Sequence, residues 1–248
     1  MARTRVGIGG WTYAPWRGAF YPKGLPHKDE LAHAASRLSA LEINATFHRS
    51  QSRSSFTRWH EETPDDFVFT VKASRFATNR KDLAAEITGA SIDAFLATGL
   101  DALGEKLGPI LWQLAPTKPF VADELDAFLA RLPRTLGTRR LRHALEPRHP
   151  SFDVPALAKL ATKHGVAIVF TDSKEYPSID VRTADFTYAR LVRCDAKKAA
   201  GYTPRELDAW ARRAETWSQE GEAFVFFING AKEKAPLAAR ALRARLDA

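Results

Sequence analysis

The chain has 248 residues, enough for one α/β barrel of ordinary size, and its 45% hydrophobic content supports a sizeable core. No apolar run approaches the ~20 residues that a bilayer crossing needs, and a single cysteine, Cys194, excludes an intramolecular disulfide and a cysteine-cluster metal site. The formal net charge of +8 fits attraction to phosphates, nucleic acid or other polyanions, but the arginines are scattered over helix-like segments without a long block of like charge.

The opening MARTRVGIGG runs straight into a strand-like segment and lacks the apolar stretch of an export signal, so the expected location is the cytoplasm. Eight β-rich runs then recur: RVGIG (5–9), LEINATF (41–47), FVFTVKA (67–73), PILWQLA (109–115), RHALE (142–146), VAIVFT (166–171), FTYARLV (186–192) and AFVFFIN (223–229). Amphipathic segments at 28–39, 51–62, 80–106, 123–131, 155–163, 203–219 and 235–246 separate most of them. After the sixth run the connection SKEYPSIDVRTAD is short and carries a proline, so its helix is expected to be degenerate. Eight strands alternating with helices predict a parallel sheet closed into a single (β/α)8 TIM-type barrel over residues 1–248. A doubly wound sheet would want a G-x-G-x-x-G turn after its first strand, which the chain lacks.

In such a barrel one face of each strand lies under helices and the other points inside. Leu41, Ile43, Ala45 and Phe47 alternate as the covered face of the second run, which turns Glu42, Asn44, Thr46 and His48 inward. The same parity turns Thr70, Lys72, Gln113, Glu146, Arg148, Asp172, Tyr188, Arg190 and Asn229 inward. Most stand near C-terminal strand ends, where barrel enzymes carry their chemistry.

The stretches GIGGWTYAPWRGAFYP (7–22), LEINATFHR (41–49), FVFTVKAS (67–74), GPILWQLAP (108–116), LEPRHPSF (145–152), FTDS (170–173) and TADFTYARL (183–191) resemble the YecE-like family, domain of unknown function 72. The resemblance covers nearly the whole chain. It implies a TIM-type barrel of unestablished function, for which a distant relation to sugar isomerases has been suggested. The polar set it retains here is Trp11, Glu42, Asn44, Thr46, Lys72, Gln113, Glu146, Arg148, Asp172, Arg190 and Asn229. The chain departs from the family pattern at His48 (usually Tyr), Asn79 (usually His), Val192 and Arg193 (where His-Gly is usual after the arginine) and Ile228 (usually Asn).

A carboxylate such as Glu42 inside a barrel needs a cation, and Lys72 and Arg190 are the inward ones. Lys72 is either a counter-ion or, desolvated among other cations, a base or Schiff-base nucleophile. Glu146 and Asp172 end adjacent strands, which lie ~5 Å apart in a sheet, and are placed to act as acid and base or, with His149, to ligate Mg²⁺ or Mn²⁺. The alternative is a salt bridge from Arg148. A two-metal isomerase site would need more inward acids and histidines, so no cofactor is expected, with a divalent metal as the lesser alternative.

Arg148, Arg190, Arg193, Lys197 and Lys198 gather near the mouth and the loop AKKAAGYTP (196–204), which points to a small anionic, sugar- or phosphate-bearing ligand. The aromatic loop GWTYAPWRGAFYP (10–22) is a candidate lid, with Trp11 facing ligand and Phe20 and Tyr21 packed within it. The expected function is therefore an enzyme, isomerase-like, a lyase or a hydrolase. Glu146 or Asp172 would serve as acid or base, Lys72 and Arg190 would stabilise negative charge, and Trp11, Asn44, Thr46, Gln113, Arg148 and Asn229 would hold the substrate. Two competing readings are a nucleic-acid-binding or -processing protein using the basic rim and aromatic loop, and a catalytically silent scaffold.

Overall fold

Strands and helices alternate from the first element onward in the computed structural model, which describes residues 3–247. β1 (Thr4–Gly9) leads to α1 (Glu30–Arg37), and β2 (Ala40–Ile43) to the single turn α2 (Ala45–His48) and then α3 (Arg53–Glu61). β3 (Val68–Lys72) precedes the turn α4 (Arg75–Thr78) and α5 (Glu86–Leu96). β4 (Leu107–Gln113) is followed by α6 (Ala122–Ala130) and a small antiparallel pair, β5 (Thr135–Leu136) and β6 (Arg139–Arg140). β7 (His143–Glu146), α7 (Pro155–His164), β8 (Ala167–Ile168), β9 (Phe170–Thr171), β10 (Phe186–Leu191), α8 (Pro204–Glu220), β11 (Glu222–Phe227) and α9 (Ala235–Leu246) complete the order.

Local sequence sets several boundaries. The long α8 opens on a reciprocal capping box between Thr203 and Glu206 with Pro204 at its first turn, which satisfies amide donors the helix cannot. The predicted helical stretch 80–106 divides instead at Gly99, whose φ of 100° breaks it into α5 and a tighter turn over Leu100–Lys106. Between β9 and β10 there is no helix, in line with the degenerate connection predicted there.

The barrel sheet runs β8-β7-β4-β3-β2-β1-β11-β10-β9, all parallel, and counts nine strands rather than eight. The extra strand arises because the sixth run is split at Val169. Its first half pairs with β7 and its second with β10, so the two ends of the strand order are consecutive pieces of one run. Val169 N donates to Leu145 O at 2.9 Å, while the Ile168 amide is taken by Thr183 Oγ1 at 3.0 Å in place of a strand carbonyl. The result is a nearly closed TIM-type barrel.

Alternation produces two apolar layers. Leu41, Ile43, Phe69, Val71 and Trp112 pack under the helices, while Ala40, Val68, Leu111, Val169, Tyr188, Phe224 and Phe226 fill the barrel. Burying each of the two phenylalanines is worth roughly 1.5–3 kcal/mol. β1 offers glycine to this interior because a Cβ at Gly7 would stand 2.2 Å from Ala40 O and 2.8 Å from the Phe226 ring.

Three inward assignments, at the ends of two strands, are corrected. The second strand ends at Ile43, and Asn44 (φ −96°, ψ −16°) turns the chain into α2 rather than continuing to residue 47. Thr46 and His48 therefore leave the wall: Thr46 is buried in the turn and His48 is exposed. At the end of β11 it is Ile228 that enters the barrel core, and Asn229 is exposed. Among the described residues no helix is long and apolar enough to cross a membrane.

Candidate functional site at the barrel mouth

β2, β3, β4, β7 and β10 each present a polar side chain toward the C-terminal end of the barrel, above the apolar layer. Arg190 is at the centre. Its Nε and Nη2 donate to the two oxygens of Glu42 at 3.1 and 3.0 Å, and its Nη1 donates to Glu146 Oε2 at 2.6 Å. The Tyr188 hydroxyl donates to Glu42 Oε2 at 2.7 Å and is in turn 2.9 Å from Thr70 Oγ1. Gln113 Nε2 donates to Glu146 Oε2 at 2.6 Å, and Arg148 reaches Glu146 Oε1 through Nε and Nη2, both at 3.2 Å. Glu42, Glu146 and Arg190 are each at least 98% buried, so every carboxylate oxygen is met by charge-assisted donors, as burial demands.

Burial alone would raise the Glu146 carboxyl, but Arg190, Arg148 and Gln113 outweigh it and hold it below the usual carboxylate range. Arg190 is held more firmly protonated than usual: Glu146 and Glu42 more than offset the cost of burying it. Tyr188 is pushed far up by burial and by Glu42, so it stays a hydroxyl donor.

Lys72, at the end of β3, differs from all of these. It is 9% exposed, its Nζ lies 3.9 Å from the centroid of the Phe47 ring, and no described residue accepts a hydrogen bond or forms an ion pair with it. Burial first, then the Arg190 charge, push it down to about 8, against the pull of Glu42 and Glu146. Two carboxylates and two guanidiniums in the network cancel. Among the described residues, the Lys72 amine is left over.

Asp172 is not brought into this network. Its carboxylate accepts from Val192 N at 2.5 Å and from the Tyr202 hydroxyl at 3.3 Å, and burial, opposed by these donors and by Arg193, pushes it up to about 6. Together with Arg193, Lys198, Tyr202, Glu206 and Trp210 it lines a separate cleft of about 360 Å³. Lys198 there is paired with Glu206 at 2.7 Å, and Lys197 is exposed. The expected pairing of Glu146 with Asp172 is thus replaced by two independent environments. His149 caps its own turn through Ser151, and among the described residues no three His, Cys, Asp or Glu side chains converge as a metal site.

The aromatic loop is largely closed on itself. Trp16, Phe20 and Tyr21 are buried, with Trp16 Nε1 donating to Lys232 O at 2.9 Å and the Tyr21 hydroxyl to Trp11 O at 2.5 Å. Trp11 is half-buried edge-on against Trp59, 5.0 Å between centroids, and packs on Phe69 of the outer layer. Asn44 remains half-exposed beside Gly9 and Ile228, and Thr46 Oγ1 donates to Lys72 O at 2.7 Å, tying α2 to β3. A second cleft, of about 260 Å³, begins at Thr46 and is lined by Ser50, Gln51, Ser74, Phe76 and Arg80 among others.

Three contributors were missed by sequence reasoning. Phe47 lies under Lys72 because the α2 turn rotates it off the covered face; Tyr176 stacks 4.4 Å from the Arg148 guanidinium; Tyr202 holds Asp172. For Phe47 the alternation runs on past the end of the strand and points it to the wrong face, and Tyr176 sits in a bend with no periodic signal. For Tyr202, its position in the loop before a capping box was the only available hint.

Residues 5–248 match the profile of a family described as "Protein of unknown function DUF72". A DUF72 family protein of Thermotoga maritima MSB8 has a similar structure, with 22% identity, 99% of each chain covered and a TM-score of 0.82. Another, from Enterococcus faecalis V583, shows 18% identity over 99% of this chain and 96% of that one, with a TM-score of 0.77. A methyltransferase from Methanosarcina mazei is alike in fold alone, at 10% identity, covering 98% of this chain and 94% of that one with a TM-score of 0.56. No curated protein sequence matches the chain.

Proposed function

We propose that this chain, which belongs to the DUF72 family of proteins of unknown function, is an enzyme performing acid/base chemistry on a small anionic substrate at the C-terminal mouth of its barrel, with Lys72 as the proton-transfer group. The observation that carries this reading is the Lys72 amine, buried, without an acceptor among the described residues, and set against a network that is already electrically balanced. One negative charge on a substrate compensates it. A lysine brought down to about 8 is also matched to proton transfer near neutral pH, whereas Glu146, fully engaged and held ionised, is a weak base.

Arg190, Glu42 and Glu146 then act as a fixed field, Arg148 and Gln113 stand at its edge, and half-exposed Asn44 immediately follows β2. The substrate class that fits is a sugar or other small molecule bearing a phosphate or carboxylate. A lyase or isomerase suits this set better than a glycosidase, since two carboxylates bridged by one arginine are not free to flank a glycosidic bond.

A thermal-shift panel of phosphate- and carboxylate-bearing compounds beside their neutral counterparts tests the proposal, because a ligand of the native state raises its melting temperature. An anion that stabilises the wild type but not Lys72→Met supports it; equal shifts in both proteins contradict it. Oligonucleotides in the same panel test the nucleic-acid reading, which predicts a shift that fades with salt. That reading drew on an aromatic loop whose Trp16, Phe20 and Tyr21 are buried, so stacking on them would first require the loop to open.

A further inference from the structure

A buried lysine with a purely electrostatic task keeps its proton by donating to oxygen. Lys106 does so to His60 O and Thr63 O, and Lys118 to Lys81 O and Glu124. Lys72 has no such acceptor among the described residues: its Nζ rests on the Phe47 ring, and both neighbouring carboxylates are committed to Arg190, with Glu146 also held by Arg148. Loss of hydration and nearby like charge both favour the neutral amine, whose lone pair is then available. The placement is also that of a nucleophile, at a C-terminal strand end with its main chain locked by Thr46.

Resting on the acid/base reading and deepening it, we propose that Lys72 condenses with the carbonyl group of a small anionic substrate, a 2-oxo acid or a phosphorylated aldehyde or ketone, to form a Schiff base at the barrel mouth. The Nζ lone pair forms a bond to the carbonyl carbon, giving a carbinolamine. Its oxygen leaves as water, taking one proton from the amine and one from solvent, and the nitrogen becomes part of a C=N⁺ iminium. No oxidant or reductant is consumed. The iminium carries the charge the ammonium would have carried, beside the Phe47 face, and the substrate's own anion balances it.

Trapping tests this directly. The full chain is incubated at pH 7.0 with pyruvate or with dihydroxyacetone phosphate in the presence of sodium cyanoborohydride, which reduces an iminium to a stable secondary amine, and peptides are mapped by mass spectrometry. With Lys72 brought down to about 8, its neutral fraction at that pH is about 300-fold that of an ordinary lysine, so the expected result is one adduct per chain at Lys72, ahead of exposed Lys23 and Lys28. Lys72→Arg, which keeps the cation but has no primary amine, should show only the background at surface lysines. The faster of the two probes identifies whether a carboxylate or a phosphate partner is preferred.

Lys72 labelled no faster than Lys23 and Lys28 overturns the proposal. Thermal shifts with the unreactive analogues lactate and glycerol 3-phosphate separate the two levels of inference. If such an analogue stabilises the wild type but not Lys72→Met while no adduct forms, the Schiff base alone is refuted; with neither shift nor adduct, the acid/base function falls with it.

Discussion

Lys106 lies at the N-terminal edge of β4 and Lys72 at the C-terminal end of β3, and both are buried. The first donates to His60 O and Thr63 O, at 2.5 and 2.7 Å, and so fastens α3 to the foot of the barrel. The second donates to nothing among the described residues and lies on an aromatic ring. The same residue type, buried at both places, is thus satisfied at the foot of the barrel and left without an acceptor among the described residues at its mouth. Barrels commonly separate stability and chemistry between their two ends, and the two lysines stand at those opposite ends.

The strongest way to sharpen the comparison is to remove the cation that is satisfied at the mouth. Arg190→Met leaves Glu42 and Glu146 buried without their main partner, and should cost about 3–5 kcal/mol in urea unfolding. A loss below about 1 kcal/mol would mean that the network relaxes to water and is not the rigid frame described here.

Lys72 should behave in the opposite sense. Its folded pKa, about 8, lies below the unfolded value of 10.5, so between these values the unfolded chain binds the extra proton. The penalty of holding the ammonium is fully present below pH 8 and is relieved as pH rises toward 10.5. Lys72→Met is therefore expected to be more stable than wild type at pH 7, by on the order of 1–3 kcal/mol, and the gap should close over that window. A destabilised variant would break the comparison. Lys106→Met, by contrast, strands two carbonyls and should cost about 1–3 kcal/mol.

Asp172 should show an effect of comparable size, but in the acid range and with the opposite slope. Its folded pKa of about 6 lies above the ordinary 3.8, so the folded state holds the proton more tightly between these values. Stability relative to Asp172→Asn should fall as pH rises from about 4 to 6, by on the order of 2 kcal/mol, and stay level above. A difference independent of pH would show that this carboxyl is solvated.

Much of this was legible in the sequence, and the limits have physical causes. Alternation carries parity, so the inward placement of Glu42, Lys72, Gln113, Glu146 and Arg190 could be read directly, as could the β/α order. The same signal misled after Ile43: LEINATF keeps alternating, but the turn is set by the bond from Thr46 Oγ1 to Lys72 O, a contact made 26 residues away. AFVFFIN has no polar residue before its end to reveal which face is which, so Ile228 rather than Asn229 faces the core. The split of the sixth run depends on the Thr183 hydroxyl from the following loop, which no local pattern announces. Which oxygens Arg190 holds, and that Lys72 holds none among the described residues, is a matter of three-dimensional distance alone.

The most direct test of the account is an NMR titration of the Lys72 side chain, following its ¹³Cε or ¹⁵Nζ resonance with Lys72→Arg for assignment. The expected midpoint lies near 8 and moves upward when a small anion binds. A midpoint near the ordinary lysine value of about 10.4, unmoved by anions, would mean that Lys72 is solvated and paired like any surface lysine, and would contradict the role assigned to it.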